Sequence, residues 1–447
     1  MVFLFFAPFR TDFNLHSLEA IRDRETIVDV LVETVKVESY GSSGLRWLAP
    51  WDKEEKGELY YSELNEDFIP DSATPLLKLN VPAKYIKDNL GLRPEEDQLK
   101  GFNEYEVNQC SVSYYDNTVG ILTLEVSFPE RDEYESMFLT LDKWSTKMCS
   151  LIVELIQPHE DRILKRIHSI FKSKNKDVFL SPENFIVFFD RFELSNAKNN
   201  RKRERMLWVT RISVGYIDDS QSKVLEKWTQ CVNLSENSLS LEGSEISACV
   251  GNSVVRGALS KENKYALETA LQVSTYFYVL YEVFNKVLRL LYLDMSNVKK
   301  NQETTISRVN RVRAHIEFME NEFGDALTGL QGSRSAITNK FMEAWSYSDL
   351  VDSVQRKKES VGRFSESILS ERHSKYGRVV EAFLAAIGGV SLLDFILSLF
   401  TFAHDKRLNS DTIPGLVDSA KYMPVDGVLY GAMALLIFVL ILVLRKR

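Results

Sequence analysis

Asp394 is the charge in an otherwise uncharged run, Ala382–Ala403. On a helix advancing about 100° per residue, Ser391, Asp394, Ser398, Thr401 and Asp405 fall within an arc of roughly 80°. Gly389, Leu393, Ile396 and Phe400 occupy the opposite face. At ~20 apolar residues to cross ~30 Å of hydrocarbon, the run is long enough to span a bilayer. A carboxylate at that depth is expensive unless it meets water or a partner. A polar stripe repeated on several copies of one helix can line a wet path. The same residues also suit a dry bundle, with hydroxyls bonding back to their own helix and Asp394 paired inside.

A second set is cationic. Arg201, Lys202, Arg203 and Arg205 sit in the run Lys198–Arg205, between the expected strands Asn184–Leu194 and Met206–Tyr216. Guanidinium and ammonium groups at this density can hold the phosphates of a small nucleotide. They also make an ordinary solvated hairpin tip. Lys172, Lys174 and Lys176 read as a solvated loop. Asn252 and Arg256 could line a cleft, or mark a turn before a strand. His159 and His168 are too far apart in sequence for one helical turn. Glu154, Glu160 and Asp161 read as a solvated helix end. No phosphate-loop, dinucleotide, zinc-protease or nucleophile-elbow signature is present, so no enzyme is expected, a zinc site is not indicated, and any metal ligands are left unassigned. The cysteines, Cys110, Cys149, Cys231 and Cys249, form no C-x-x-C pair and fit a reducing compartment.

The elements that must carry these residues suggest an α+β cytosolic domain, a long α-helical stalk and two C-terminal transmembrane helices. Residues 1–258 form the α/β regulatory part. Strands are expected at Met1–Phe9, in part of Glu25–Glu38 and at Thr118–Phe128, with one more at Ile246–Gly257, turning at Gly251–Asn252. Met1–Phe9 lacks the basic start and cleavage site of a signal peptide. Asn65–Glu96 carries Pro70, Pro75, Pro82 and Pro94 and reads mostly as loop with short elements. Asp132–Gln157 is predicted helical, broken at Pro158, with a second helix over Glu160–Phe171. Residues 259–381 form the helical stalk. Val273, Phe277, Leu280, Phe284, Val287 and Leu291 make an apolar stripe at helical spacing. A helix follows over Thr304–Phe323, and Gly324, Gly329 and Gly332 mark a turn. The last long helix runs from Tyr347 to Phe402. Its stripe Val361, Phe364, Ile368, Arg372, Tyr376, Val379 and Phe383 predicts contact between subunits, with supercoiling. Residues 382–403 form the first span, 404–426 an external loop, and 427–447 the second span with a basic tail. Gly427 and Gly431 make a small-x-x-x-small pair, allowing an outer helix to pack on the first.

Arg372, Lys375 and Arg378 flank the first span on one side, and Arg445, Lys446 and Arg447 follow the second. Lys406, Arg407 and Lys421 lie between the spans. The excess places both termini in the cytoplasm of an inner or plasma membrane. A net charge of −8 argues against a stable nucleic-acid partner.

This succession resembles the CorA superfamily: an α/β cytosolic domain, a long stalk helix entering the first span, an external loop and a second span with a basic tail. The resemblance implies a homopentameric channel whose first span lines the pore, with magnesium or another cation as permeant ion. The family's Gly-Met-Asn signature is absent; the corresponding stretch, Phe402–Asn409, reads FAHDKRLN. CorA-like proteins without that signature include membrane effectors of prokaryotic antiviral defence, some linked to type III CRISPR systems and gated by a nucleotide messenger. A non-conducting, membrane-anchored scaffold is the third expectation.

Overall fold

The computed structural model describes residues 1–11, 13, 24–38, 44–49, 74–90, 105–116, 118–129, 134–173, 205–215, 222–230, 238–296, 302–405, 424, 426–427, 430–431, 433–434 and 437. The expected strand Asn184–Leu194, nearly all of the external loop and most of the second span lie outside them. The chain divides into two compact units, Met1–Glu359 and Ser360–Arg447.

The first unit is built on a sheet of nine strands among the described residues, in the order β2-β3-β4-β5-β1-β6-β9-β8-β7. These are β1 (Val2–Arg10), β2 (Arg46–Leu48), β3 (Leu77–Asn80), β4 (Glu106–Tyr114), β5 (Val119–Ser127), β6 (Thr210–Gly215), β7 (Ser238–Leu241), β8 (Ser244–Ser247) and β9 (Asn252–Gly257). The apolar first strand lies at the centre, antiparallel to β5 from Val2↔Ser127 to Arg10↔Val119 and to β6 from Val2↔Val214. β6 and β9 run parallel.

Alternation gives the sheet two different faces. Phe3, Phe5, Ala7 and Phe9 share one face with Leu122, Leu124 and Val126, and all are buried in the main core. The helix α3 (Tyr134–Ser173) covers that face with Leu141, Trp144, Met148, Ile152, Ile156, Ile163 and Ile167. The helix α5 (Lys261–Ser296) packs on the other face, against β1 and β5. The remaining helices among the described residues are α1 (Arg24–Glu38), α2 (Ala83–Leu90), α4 (Ser222–Thr229), α6 (Gln302–Gly329), α7 (Ser333–Ala344) and α8 (Tyr347–Asp405).

Several expectations change. Glu25–Glu38 is helical throughout as part of α1, not a strand. Its buried residues Val30, Leu31, Thr34 and Val35 recur at helical spacing, and the Thr34 hydroxyl donates to the Val30 carbonyl at 2.7 Å. Pro158 does not break α3. It supplies no N–H to the Glu154 carbonyl, but both residues face solvent, where water can take the bond. Ile246–Gly257 is the hairpin β8–β9, turning through Gly251 at φ 82°. Between α6 and α7 the turn falls at Gly332, at φ 60°, whereas Gly324 stays inside α6. The strands at Val2–Arg10 and Val119–Ser127 and the helix beginning at Tyr347 are where the sequence places them.

α8 has 59 residues, about 90 Å at 1.5 Å per residue. It is the one helix among the described residues that is long and apolar enough to cross a membrane. Its apolar stretch is not buried.

Candidate functional site

Proline is absent from α8 and Ala382–Ala403 lies wholly inside it, so the run is on uninterrupted helix. That regularity fixes which residues share a face. Ser391, Asp394, Ser398 and Thr401 are all exposed. Ala382, Ala385, Ala386, Gly389, Leu393 and Ile396 are half-buried and recur at three and four. At about 100° per residue the covered face is centred roughly 150° from the polar stripe. The polar stripe lies within a broad exposed arc that also carries Phe383, Leu384, Ile387, Val390, Leu392 and Phe395. The Thr401 hydroxyl donates back to the Leu397 carbonyl at 2.8 Å. Asp405 lies in the last residue of the helix, with its side chain outside the described residues.

The stalk stripe divides in two. Val361 is 1% exposed, and Phe364 and Ile368 are half-buried. Tyr376, Val379 and Phe383 are exposed, Tyr376 at 67%. Only the second part offers a free apolar edge. Before the apolar run, Lys375 pairs with Glu371 at 2.7 Å and the Arg378 Nε donates to the Ser374 carbonyl at 3.3 Å. In the second span, a Cβ on Gly431 would meet nothing within 4 Å, and one on Gly427 would meet only Pro424. The glycine pair thus makes no close helix contact among the described residues.

Of the basic set, Arg201, Lys202 and Arg203 lie outside the described residues. Arg205 sits beside β1. Its Nη2 donates to both carboxylate oxygens of Glu160, at 2.7 and 2.6 Å, and its Nε donates to the Arg10 carbonyl at 3.0 Å. Its guanidinium carbon lies 5.4 Å from the centre of the Phe9 ring. Glu160, 1% exposed, is no solvated helix end but the buried anchor that ties α3 to this strand edge. One residue earlier, Tyr85 Oη and His159 Nε2 share a 2.9 Å hydrogen bond, linking α2 to α3. Burial and the Arg162 charge lower the His159 pKa, against a smaller opposing effect of Glu38.

A further polar node was not legible in advance. Arg211 on β6 donates to the Ser145 hydroxyl at 2.6 Å, the Thr146 hydroxyl at 2.6 Å, the Asp142 carbonyl at 2.9 Å and the Val209 carbonyl at 3.0 Å. Trp228 Nε1 donates to the Asp142 carboxylate at 3.0 Å, and Asn252 Nδ2 to the Trp228 carbonyl at 3.0 Å. Asn252 is therefore a buried joint between β9, α4 and α3. Arg256 instead faces Glu245 at 3.6 Å in a half-exposed pair. The alternation Thr210–Arg211–Ile212 hints that Arg211 is inward, but its partners come from distant sequence.

Cys110, Cys149 and Cys249 are buried. Among the described residues no group of three or more His, Cys, Asp or Glu side chains is placed to hold a metal ion. No protein family, curated protein or solved structure matches this chain.

Proposed function

We propose that this chain is one subunit of a homo-oligomeric, CorA-like membrane channel whose cytosolic α+β unit controls ion flow. The observation that carries the reading is the two-faced apolar segment of α8. Leu393 and Ile396 are half-buried, while the broad exposed arc opposite presents Ser391, Asp394, Ser398 and Thr401 beside exposed Ile387, Val390 and Phe395. A carboxylate on a bare face within hydrocarbon needs water or another protein surface. Copies of α8 arranged around an axis supply both. Asp394 then faces a cation path, the serine and threonine hydroxyls line it, and the covered face turns to the second span and to lipid. The basic flanks favour both termini on the cytoplasmic side. Five subunits, and magnesium among the cations passed, follow from the family resemblance alone.

The test is cation flux through liposomes carrying the purified chain. Wild type should conduct, and Asp394→Asn should change conductance or ion preference while the oligomer stays intact. An intact oligomer with unchanged flux on Asp394→Asn sinks the pore-lining role. The assay also separates the alternatives. Flux that begins only when a nucleotide is added identifies a messenger-gated effector, and no flux from an intact oligomer identifies a scaffold.

A further inference from the structure

The apolar run of α8 begins at Ala382, and the three turns before it are charged: Glu371, Arg372, Lys375, Arg378 and Glu381. Their side chains are not equally committed. Lys375 Nζ lies 2.7 Å from the Glu371 carboxylate, in a pair whose members are 63% and 68% exposed. Arg378 donates from Nε to the Ser374 carbonyl at 3.3 Å. Both contacts run four residues back along the helix, away from the apolar run, as the N-terminal tilt of helical side chains dictates. Among the described residues no carboxylate pairs with Arg378, and neither of its Nη groups makes a hydrogen bond. Glu381 is exposed and has no cationic partner among them.

Helical phase decides what this guanidinium can meet. Counted from Asp394 at about 100° per residue, Arg378 falls near 200° and Lys375 near 260°. Ala385, Gly389, Leu393 and Ile396, all half-buried, occupy the sector from about 180° to 260°. Arg378 therefore continues the face of α8 that turns away from Asp394, where the channel reading places lipid. It lies about 6 Å of helix before Ala382 at 1.5 Å per residue. The polar layer on each side of the hydrocarbon is roughly 5–8 Å deep. With Ala382 at the edge of the hydrocarbon, the guanidinium reaches back into that layer.

The chemistry of that layer is phosphodiester. A planar guanidinium whose Nη groups are unengaged matches two phosphate oxygens. Its alkyl stem can lie along the apolar edge while its head stays in the polar layer. An exposed ion pair such as Glu371–Lys375 contributes little, so Lys375 can turn to the same phosphates. Glu381 works against them, because it sets a negative charge one turn deeper and roughly 60° around the helix.

We propose that Arg378, seconded by Lys375, is a phospholipid-headgroup site. It takes the phosphate of a lipid in the leaflet at the Ala382 end of the apolar run, and it favours anionic phosphatidylglycerol over zwitterionic phosphatidylcholine. The site rests on the membrane-spanning part of the channel reading and is independent of conduction.

The test places the full chain in nanodiscs with trace spin-labelled phosphatidylglycerol or spin-labelled phosphatidylcholine. Electron spin resonance reads the fraction of each lipid that the protein immobilises. Wild type should hold phosphatidylglycerol in preference. Arg378→Gln should reduce that preference by up to about fivefold, the equivalent of about 1 kcal/mol for one cation at a membrane surface. Glu381→Gln should raise it. An inserted Arg378→Gln chain with unchanged preference overturns the site. If that variant does not fold, an unchanged preference in Glu381→Gln overturns it instead. Loss of the preference on adding inorganic phosphate also overturns it, by assigning the guanidinium to a soluble anion. A chain that does not insert into the discs removes the spanning reading and the site with it, whereas insertion without preference removes the site alone.

Discussion

Glu160 and Arg205 are a buried pair in which a single nitrogen of the guanidinium serves both carboxylate oxygens. Removing one member strands the other charge at the edge of β1, and such losses run to about 3–5 kcal/mol. Glu160→Ala should therefore lower unfolding stability by about that much in urea titrations followed by tryptophan fluorescence. A loss below about 1 kcal/mol would mean that Arg205 finds another anion. Lys78 has the opposite character. Burial lowers its pKa from 10.5 to about 8, against a smaller opposing pull from Glu268. Between those values the unfolded chain holds more protons than the folded one, so this contribution to stability improves as pH rises through the window and is at its worst below about 8. Lys78→Met/Glu268→Leu should be at least as stable as wild type at pH 7, with its advantage shrinking as the pH rises from about 8 to about 10. A thermal-shift series across that range reads the trend; an advantage that grows with pH contradicts the burial of a charged Lys78. Gly120 makes a third residue-scale test. A Cβ there would stand 2.5 Å from Phe9 Cζ and 2.7 Å from Thr11 Cγ2. Gly120→Ala should destabilise by about 1–3 kcal/mol through overpacking at the centre of the sheet.

At the scale of elements, legibility followed how much of each pattern was local. α5 and α8 were readable because stripes such as Val273, Phe277, Leu280 and Phe284 repeat at three and four over many turns. β1 and β5 were readable from β-branched and aromatic density. α1 was misread for the same reason. TIVDVLVETVKV is rich in valine and threonine and nearly alternates, yet tertiary burial of Val30, Leu31, Thr34 and Val35 overrode strand propensity. Pro158 misled because its solvent-facing position on α3 depends on what lies under the helix. β4 was missed because its sheet-facing residues towards α5 are polar, Ser111 and Ser113, so it lacks the alternation of a half-buried strand. The candidate site was legible as a stripe, since it needs only a helical period. Which face of α8 is covered was not, because that depends on chain far away. The exposure pattern leads to a direct test. Single cysteines at Ser398 and Leu393, in a background with the four native cysteines replaced, should differ in reaction with a charged, water-soluble thiol reagent. Ser398→Cys should label in the membrane-inserted oligomer, and Leu393→Cys should not. The reverse pattern would place lipid where the channel reading places water.

For the whole molecule, the issue is where assembly resides. The first unit, Met1–Glu359, has its own core under α3 and a second packed layer through α5, α6 and α7, and its described surface shows few large exposed apolar residues. Exposed apolar side chains become dense only from Tyr376 onward: Val379, Val380, Phe383, Leu384 and Ile387 follow within three turns. Upstream, Val361 and Ser365 are already buried, so that part of α8 has little apolar surface left to offer another copy. A chain ending at Ser370 keeps those buried positions and loses the exposed stretch. It should purify without detergent and sediment as a monomer, because nothing left on α8 buries apolar area against a partner. The full chain in detergent should sediment as a single closed oligomer, because a face shared by identical helices closes most simply around one axis. An oligomeric fragment ending at Ser370 would move the assembly surface onto the α+β unit. The stripe at Asp394 would then have to be explained without a ring of α8 helices holding it.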